Sequence, residues 1–279
     1  MYVKIMKPIT IIANMEIKKN KKYMQEIKEY LNDKNIECLF ANVQQDNFGN
    51  YIYDIEQSSY IITLGGDGTV LQAAQNALET RTPIIPFNTG TLGFLAEYKI
   101  KDFKFVLDKV LNKEYFIDSR MMLEVYKDGE LLDTCLNDIV ISREGFSRIV
   151  SIESIVGNSI LNKYRGDGII ISTPTGSTGY NLSLGGPILS PKSKNILITP
   201  IACHSLLSRS IVLDESEIVN IKILKSRKTQ DKEAILTCDG RKNIDLHSGD
   251  ELVVKKCKKN VNLIKLDNNF FDICNKKLR

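Results

Sequence analysis

The stretch Tyr60-Ile61-Ile62-Thr63-Leu64-Gly65-Gly66-Asp67-Gly68-Thr69-Val70-Leu71 carries the most information in the chain. An apolar run suited to a buried strand ends in three glycines around one acid. A helical pattern (Val70, Leu71, Ala74, Leu78) begins at once. Glycines reach positive φ cheaply and leave room for a ligand to touch the main chain. The unpaired N–H groups of the next helix favour phosphate. Asp67 is the odd member, because a carboxylate beside phosphate repels it. Such an acid needs a task, such as accepting a proton from an attacking hydroxyl or holding a metal.

Outward from this turn, strand-like and helix-like patterns alternate. Ile9–Ala13 and Cys38–Val43 read as strands, Met24, Ile27 and Leu31 recur at helical spacing, and Pro83–Phe87 is another short strand. This βαβ rhythm predicts a Rossmann-like parallel sheet covered by helices, with ligands beyond the C-terminal strand ends. A helix is expected from about Asp102 to Leu111. After it the texture becomes all-β. Met122–Tyr126, Asp128-Gly129 and Leu131–Leu136 form one hairpin signal, and Ile152–Val156, Gly157-Asn158 and Ser159–Leu161 form another. Further strand-like runs follow to residue 255. The expected division is an α/β nucleotide domain over 1–103, completed by 258–279, and an all-β domain over 104–257.

The chain has 279 residues, 43% apolar and 26% charged, with a formal net charge of +4. That composition suits a soluble globular protein with a proper core. The charge is too mild, and the lysines too dispersed, to indicate nucleic acid. No apolar run reaches the roughly 18 residues of a membrane span. Six cysteines without a CxxC unit read as reduced thiols in a cytoplasmic protein. There is no P-loop, no G-x-G-x-x-G and no HExxH. His204 and His247 are read as structural.

The β region holds a second glycine-rich stretch. It runs Tyr164-Arg165-Gly166-Asp167-Gly168, a strand to Ser172, then Thr173-Pro174-Thr175-Gly176-Ser177-Thr178-Gly179-Tyr180, and on through Ser183 to Gly186-Pro187. Hydroxyls donate and accept, so such a loop suits a sugar or a base. Asn137-Asp138 can grip a vicinal diol and a base edge, although such a pair taken alone is more often a turn or strand-end pair. Asp167 between glycines, and Asp239-Gly240, read first as turn residues.

Together, Gly65–Thr69, Asn88-Thr89-Gly90-Thr91-Leu92-Gly93-Phe94-Leu95, Asn137-Asp138 and Gly166–Pro187 resemble NAD kinase, in that family's order and over most of residues 60–240. The resemblance implies an α/β domain, an all-β domain and a C-terminal segment that rejoins the first. It implies phosphoryl transfer from ATP, or polyphosphate in some members, to the 2′-hydroxyl of the adenosine ribose of NAD. On this reading Gly65, Gly66, Gly68 and Thr69 hold donor phosphates with a divalent ion, Mg²⁺, and Asp67 takes the hydroxyl proton. Asn137 and Asp138 fix adenine and ribose, and Thr175, Thr178, Gly179 and Tyr180 line the adenine side. Arg165 and Asp167 are assigned to NAD, Asp167 at the nicotinamide end across a subunit boundary, in a homodimer or homotetramer. Ser183 and Asp239 are weaker candidates. The family often has Glu at the position of Asp138 and Ala at that of Gly179. The two loops are expected to meet around Asp67. Lipid kinases share the first turn and remain an alternative, as does a non-catalytic nucleotide sensor.

Overall fold

The computed structural model describes residues 7–41, 43–45, 51–55, 57–145, 149–204, 209–225, 232–241, 243–268 and 270–278. Residue 42, inside the expected strand Cys38–Val43, lies outside them. The chain divides into two compact units, Met1–Arg120 with Lys259–Arg279, and Met121–Lys258.

The first unit is a mostly parallel sheet in the order Cys38–Phe40, Ile9–Ala13, Tyr60–Gly65, Ile84–Asn88, Val261–Lys265, Phe116–Arg120. The first five run parallel, and Phe116–Arg120 closes the edge antiparallel to Val261–Lys265. Every residue of Tyr60–Gly65 and Ile84–Asn88 is buried, as central strands covered on both faces require. Helix α1 (Asn20–Asn32) contributes Ile27 and Leu31 to the core. Helix α2 (Asp67–Thr80) buries Val70, Ala73, Ala74, Ala77 and Leu78. Helix α3 (Phe103–Leu111) adds Phe103, Val106, Leu107 and Val110 to the cluster that holds Ile27 and Leu31.

That packing corrects the expected boundary at 103. The apolar stripe of α3 belongs to the first unit's core, and Phe116–Arg120 extends its sheet. The division therefore falls after Arg120. The expected return of the C-terminal segment takes the form of Val261–Lys265, which pairs with Ile84–Asn88 and Phe116–Arg120.

The second unit is two six-stranded antiparallel sheets. One contains both predicted hairpins, now Leu123–Lys127 with Glu130–Cys135 and Val150–Val156 with Ser159–Gly166. Asp128 (φ 53°) and Gly129 (φ 82°) both adopt the left-handed conformation that a tight hairpin turn demands. The other sheet runs Ile211–Asp214, Asn195–Ile201, Gly168–Ser172, Asp138–Ser142, Lys232–Cys238, Ile244–His247. Alternating apolar residues from both sheets, among them Leu123, Ile139, Ile152, Ile171, Ile221 and Leu252, form one core. All six cysteines are free thiols. Among the described residues no helix is long and apolar enough to cross a membrane.

Candidate functional site

In the first unit the glycine turn joins strand to helix as expected, but the glycines serve differently. None of Gly65, Gly66 and Gly68 adopts positive φ. Gly65 is required by close approach: a Cβ there would lie 2.1 Å from the Thr69 hydroxyl. Gly66 and Gly68 face open space. They border a pocket of about 500 Å³ with Ala13, Asn14, Met15, Glu16, Tyr53, Thr69 and Gln72. The pocket sits at the C-terminal ends of two adjacent parallel strands and against the start of α2, whose first N–H groups lack intrahelical partners. Its described lining carries oxygen donors from Asn14, Glu16, Tyr53 and Thr69 and no lysine or arginine.

Asp67 is not in that lining. Its half-buried carboxylate turns to the loop after Ile84–Asn88 and accepts three consecutive backbone N–H bonds. Phe94 donates to Oδ2 (2.8 Å), and Leu95 (3.0 Å) and Ala96 (2.9 Å) donate to Oδ1. A Cβ on Gly93 would lie 1.9 Å from Oδ1, so the loop reaches the acid only with glycine there. A carboxylate has about four acceptor sites. Three are used, and one lone pair of Oδ2 remains for a further donor.

In the second unit Asn137 and Asp138 enter the strand Asp138–Ser142 under the loop Thr173–Gly179. The hydroxyls of this loop are largely spent on the fold. Ser172 Oγ bonds Asn137 O (3.2 Å), Thr173 Oγ1 bonds Leu136 O (2.6 Å), Ser177 Oγ bonds Pro174 O (2.6 Å), and Thr178 Oγ1 bonds Thr175 O (3.1 Å). This narrows the expectation that the hydroxyls wrap a ligand: Ser172, Thr173 and Ser177 fix the loop. At its end Gly179 lies beside both candidate ligand groups. A Cβ there would be 3.5 Å from Asn137 Nδ2 and 3.6 Å from Asp138 Oδ2. Tyr180 follows at 46% exposure, and Ser183 is exposed.

Asp239 occupies the expected turn, with φ of 50° and Gly240 at 67°. Its fully buried carboxylate nonetheless accepts the N–H groups of Leu136 (2.9 Å), Asn137 (2.7 Å) and Asp138 (3.2 Å). Arg241 approaches it at 3.7 Å and pairs with Asp133 at 3.0 Å. Burial pushes the Asp239 carboxyl up, while Arg241 and the three N–H donors pull it down. Asp138 is 6% exposed, and its carboxyl is pushed up to about 7, first by burial and then by the charge of Asp239.

Arg165 and Asp167 are not brought to this cluster. Asp138 pairs with Ser172, whereas Gly168 pairs with Ser142 at the other end of the same two strands. Four residues of strand separate them, roughly 13 Å. There Arg143 Nε holds Asp167 Oδ1 at 2.5 Å, and Arg165 is exposed.

Comparison with known proteins bears on the whole chain. The family described as ATP-NAD kinase N-terminal domain matches residues 9–115, and ATP-NAD kinase C-terminal domain matches 136–266. The chain is 42% identical to the NAD kinase of Lachnoclostridium phytofermentans over 95% of its own length and 96% of the relative's. It is 37% identical to that of Ruminiclostridium cellulolyticum, covering 98% of each. The chain belongs to the NAD kinase family. In fold, it is similar to yeast NADH kinase solved with NADH (TM-score 0.88, 24% identity, 100% of this chain and 88% of that one). It is also similar to an NAD kinase from Archaeoglobus fulgidus solved with ATP (TM-score 0.80, 23% identity, 96% and 98%).

Membership of the NAD kinase family sets the lipid-kinase alternative aside. It leaves several residues that motif reading missed. Asn14, Met15 and Glu16 line the pocket because Ile9–Ala13 is parallel to Tyr60–Gly65, so their ends share one edge. The pairing of two strands is the signal that could have found them. The peptide Phe94–Ala96 acts through main-chain donors, which leave no residue-type signature apart from Gly93.

Proposed function

We propose that this chain transfers a phosphoryl group from ATP to the 2′-hydroxyl of the adenosine ribose of NAD, giving NADP. The observation that carries the reading is Asp67: a half-exposed carboxylate fixed by three N–H bonds, with one acceptor site left on Oδ2. A base in phosphoryl transfer must be placed rather than made strongly nucleophilic, because the reaction depends chiefly on alignment and charge neutralisation. Asp67 accepts the hydroxyl proton. Gly65, Gly66, Gly68 and Thr69, with the start of α2, receive the donor phosphates.

Among the described residues no three His, Cys, Asp or Glu side chains gather to hold a metal. The oxygen donors Glu16, Asn14 and Thr69 in the pocket fit a hard cation carried in with the phosphates. Mg²⁺ in that position would neutralise charge on the transferring group. Asn137 and Asp138 hold ribose and adenine, with Thr175, Thr178, Gly179 and Tyr180 beside them. The distance of Arg165 and Asp167 from this cluster supports assigning them to the nicotinamide end, with a second copy of the chain in a homodimer or homotetramer. Polyphosphate is a second donor to be offered.

Asp67→Asn tests the reading. General base catalysis contributes about 10²–10⁴-fold, so kcat falls by that range with NAD binding retained. Wild-type turnover by the purified variant overturns it. A purely structural Asp67 predicts an unchanged kcat of the folded enzyme, whatever the melting temperature.

A further inference from the structure

The loop that grips Asp67 is itself held from the far end of the chain. Glu97 follows directly on Ala96, and its side chain is 2% exposed. Its Oε2 meets Lys265 Nζ at 2.5 Å, and Lys265 is 6% exposed. Oε1 of Glu97 is buried without a hydrogen-bond partner, so the contact of Oε2 with Lys265, helped by the nearby charge of Arg120, compensates this carboxylate inside the unit. A second ion pair, Arg120 with Asp118 at 2.7 Å, lies near enough for both charges to act on Glu97. Two more anchors come from the same returning segment. Tyr98 Oη donates to Ile264 O (3.2 Å) and accepts from Leu266 N (2.7 Å). Lys277 of helix α4 (Phe270–Lys277) lies 4.5 Å from the Phe94 ring centroid. Residues 94, 97 and 98 are thus tied to 277, 265, 264 and 266, and the N–H groups bound to Asp67 belong to residues 94, 95 and 96.

We infer that Lys265 is a positioning residue for phosphoryl transfer. It fixes Glu97, and through Glu97 the peptide Phe94–Ala96 that orients the Asp67 carboxylate. The inference rests on Asp67 as the base. A buried ion pair adds little net stability over a well-packed neutral pair, whereas this one, with the two bonds of Tyr98, ties the end of the loop to the returning strand. Proton transfer depends on geometry, and a displacement of about 1 Å can cost about 10²-fold.

The test is steady-state kinetics on the full chain with NAD and ATP. Lys265→Met is expected to lower kcat by about tenfold to a hundredfold while KM for NAD stays within about threefold. Because that variant leaves Glu97 charged and unpaired, Glu97→Gln/Lys265→Met is made alongside. It buries no lone charge and is expected to melt near the wild type, with the same loss of kcat. In an Asp67→Asn background the double substitution should cause no further loss. A folded double variant with wild-type kcat overturns the inference. So does a raised KM at constant kcat, or an equal loss with and without Asp67. If neither variant folds, the pair is a stability element and the inference also fails. Wild-type turnover by Asp67→Asn alone would instead overturn the base assignment, so the two failures are told apart.

Discussion

Asp67 and Asp239 are the same device in two settings. Each stands before a glycine, and each carboxylate accepts three consecutive N–H groups from a separate segment, 94–96 in one unit and 136–138 in the other. The difference is access and charge. Asp239 is fully buried with Arg241 at 3.7 Å, so its geometry can only hold Asn137 and Asp138 in place. Asp67 is half-buried, and its three bonds leave the carboxylate one further acceptor site. A carboxylate tied to three main-chain donors is therefore no sign of either role by itself. What a substrate can reach decides.

The largest effects should separate the two acids by readout. Asp67→Asn is expected to cost turnover, by the range given above, and to lower the melting temperature less than Asp239→Asn does, because its amide N–H₂ also faces a backbone N–H but at a half-exposed site with no buried cation beside it. Asp239→Asn should chiefly cost stability, raising KM for NAD through the loosened Asn137 and Asp138 and leaving kcat of the folded enzyme little changed. It turns an amide N–H₂ toward a backbone N–H and removes the charge beside buried Arg241, at about 3 kcal/mol. Thermal melts should then fall by roughly 10 °C. Variants that both lose stability and activity in proportion would erase the distinction.

Gly93→Ala attacks only the Asp67 side. The new Cβ, 1.9 Å from Oδ1, must displace either the carboxylate or the loop. A fall in kcat of about 10²-fold is expected, with no further fall when combined with Asp67→Asn. Wild-type kinetics would show that the grip of the loop on Asp67 is dispensable.

Asp138 sharpens the other side through pH. Its carboxyl is raised to about 7 by burial and by Asp239. A carboxyl whose folded value lies above its unfolded one binds its proton more tightly when folded. Its stabilising contribution is full below about pH 4 and is lost as pH rises through about 7. Between pH 5 and 8 the wild type should lose about 2 kcal/mol that Asp138→Asn does not lose. Melting temperatures at the two pH values check this, and parallel curves would refute it.

How much of this was legible in the sequence follows from the kind of atom involved. The strand, glycine turn and helix around Asp67 were legible because side-chain hydrophobicity and glycine mark them. The hairpin at Asp128-Gly129 was legible from its turn chemistry. The grip on Asp67 was not, because main-chain donors look alike in every residue. Asp239-Gly240 reads first as a turn, which it is, but turn chemistry does not reveal where a side chain points. Helix α3 was recognised by its period and assigned to the wrong unit, since a stripe of Phe103, Val106, Leu107 and Val110 does not name the core it packs into. Lys265 ends a strand, where a lysine usually reads as solvated, and only the returning topology buries it beside Glu97.

The smallest expected effect lies on the upper side of the Asp239-held peptide. Gly179 has φ of −91°, so it needs no left-handed freedom. Its hydrogen faces Gly176 O, at 3.2 Å from a built Cβ, and the Asn137 and Asp138 side chains at 3.5 and 3.6 Å. Gly179→Ala would therefore narrow the space beside both without a severe clash. The lost chain entropy of the unfolded state offsets part of the crowding, at about 0.4–1 kcal/mol. Stability should change by less than about 1 kcal/mol, and KM for NAD by no more than about threefold, with kcat unaltered. A tenfold rise in KM would mean that the ligand itself occupies the space next to Gly179. A fall in kcat without a change in KM would instead place this loop in the transfer step, and would blur the contrast between an acid that reacts and an acid that holds.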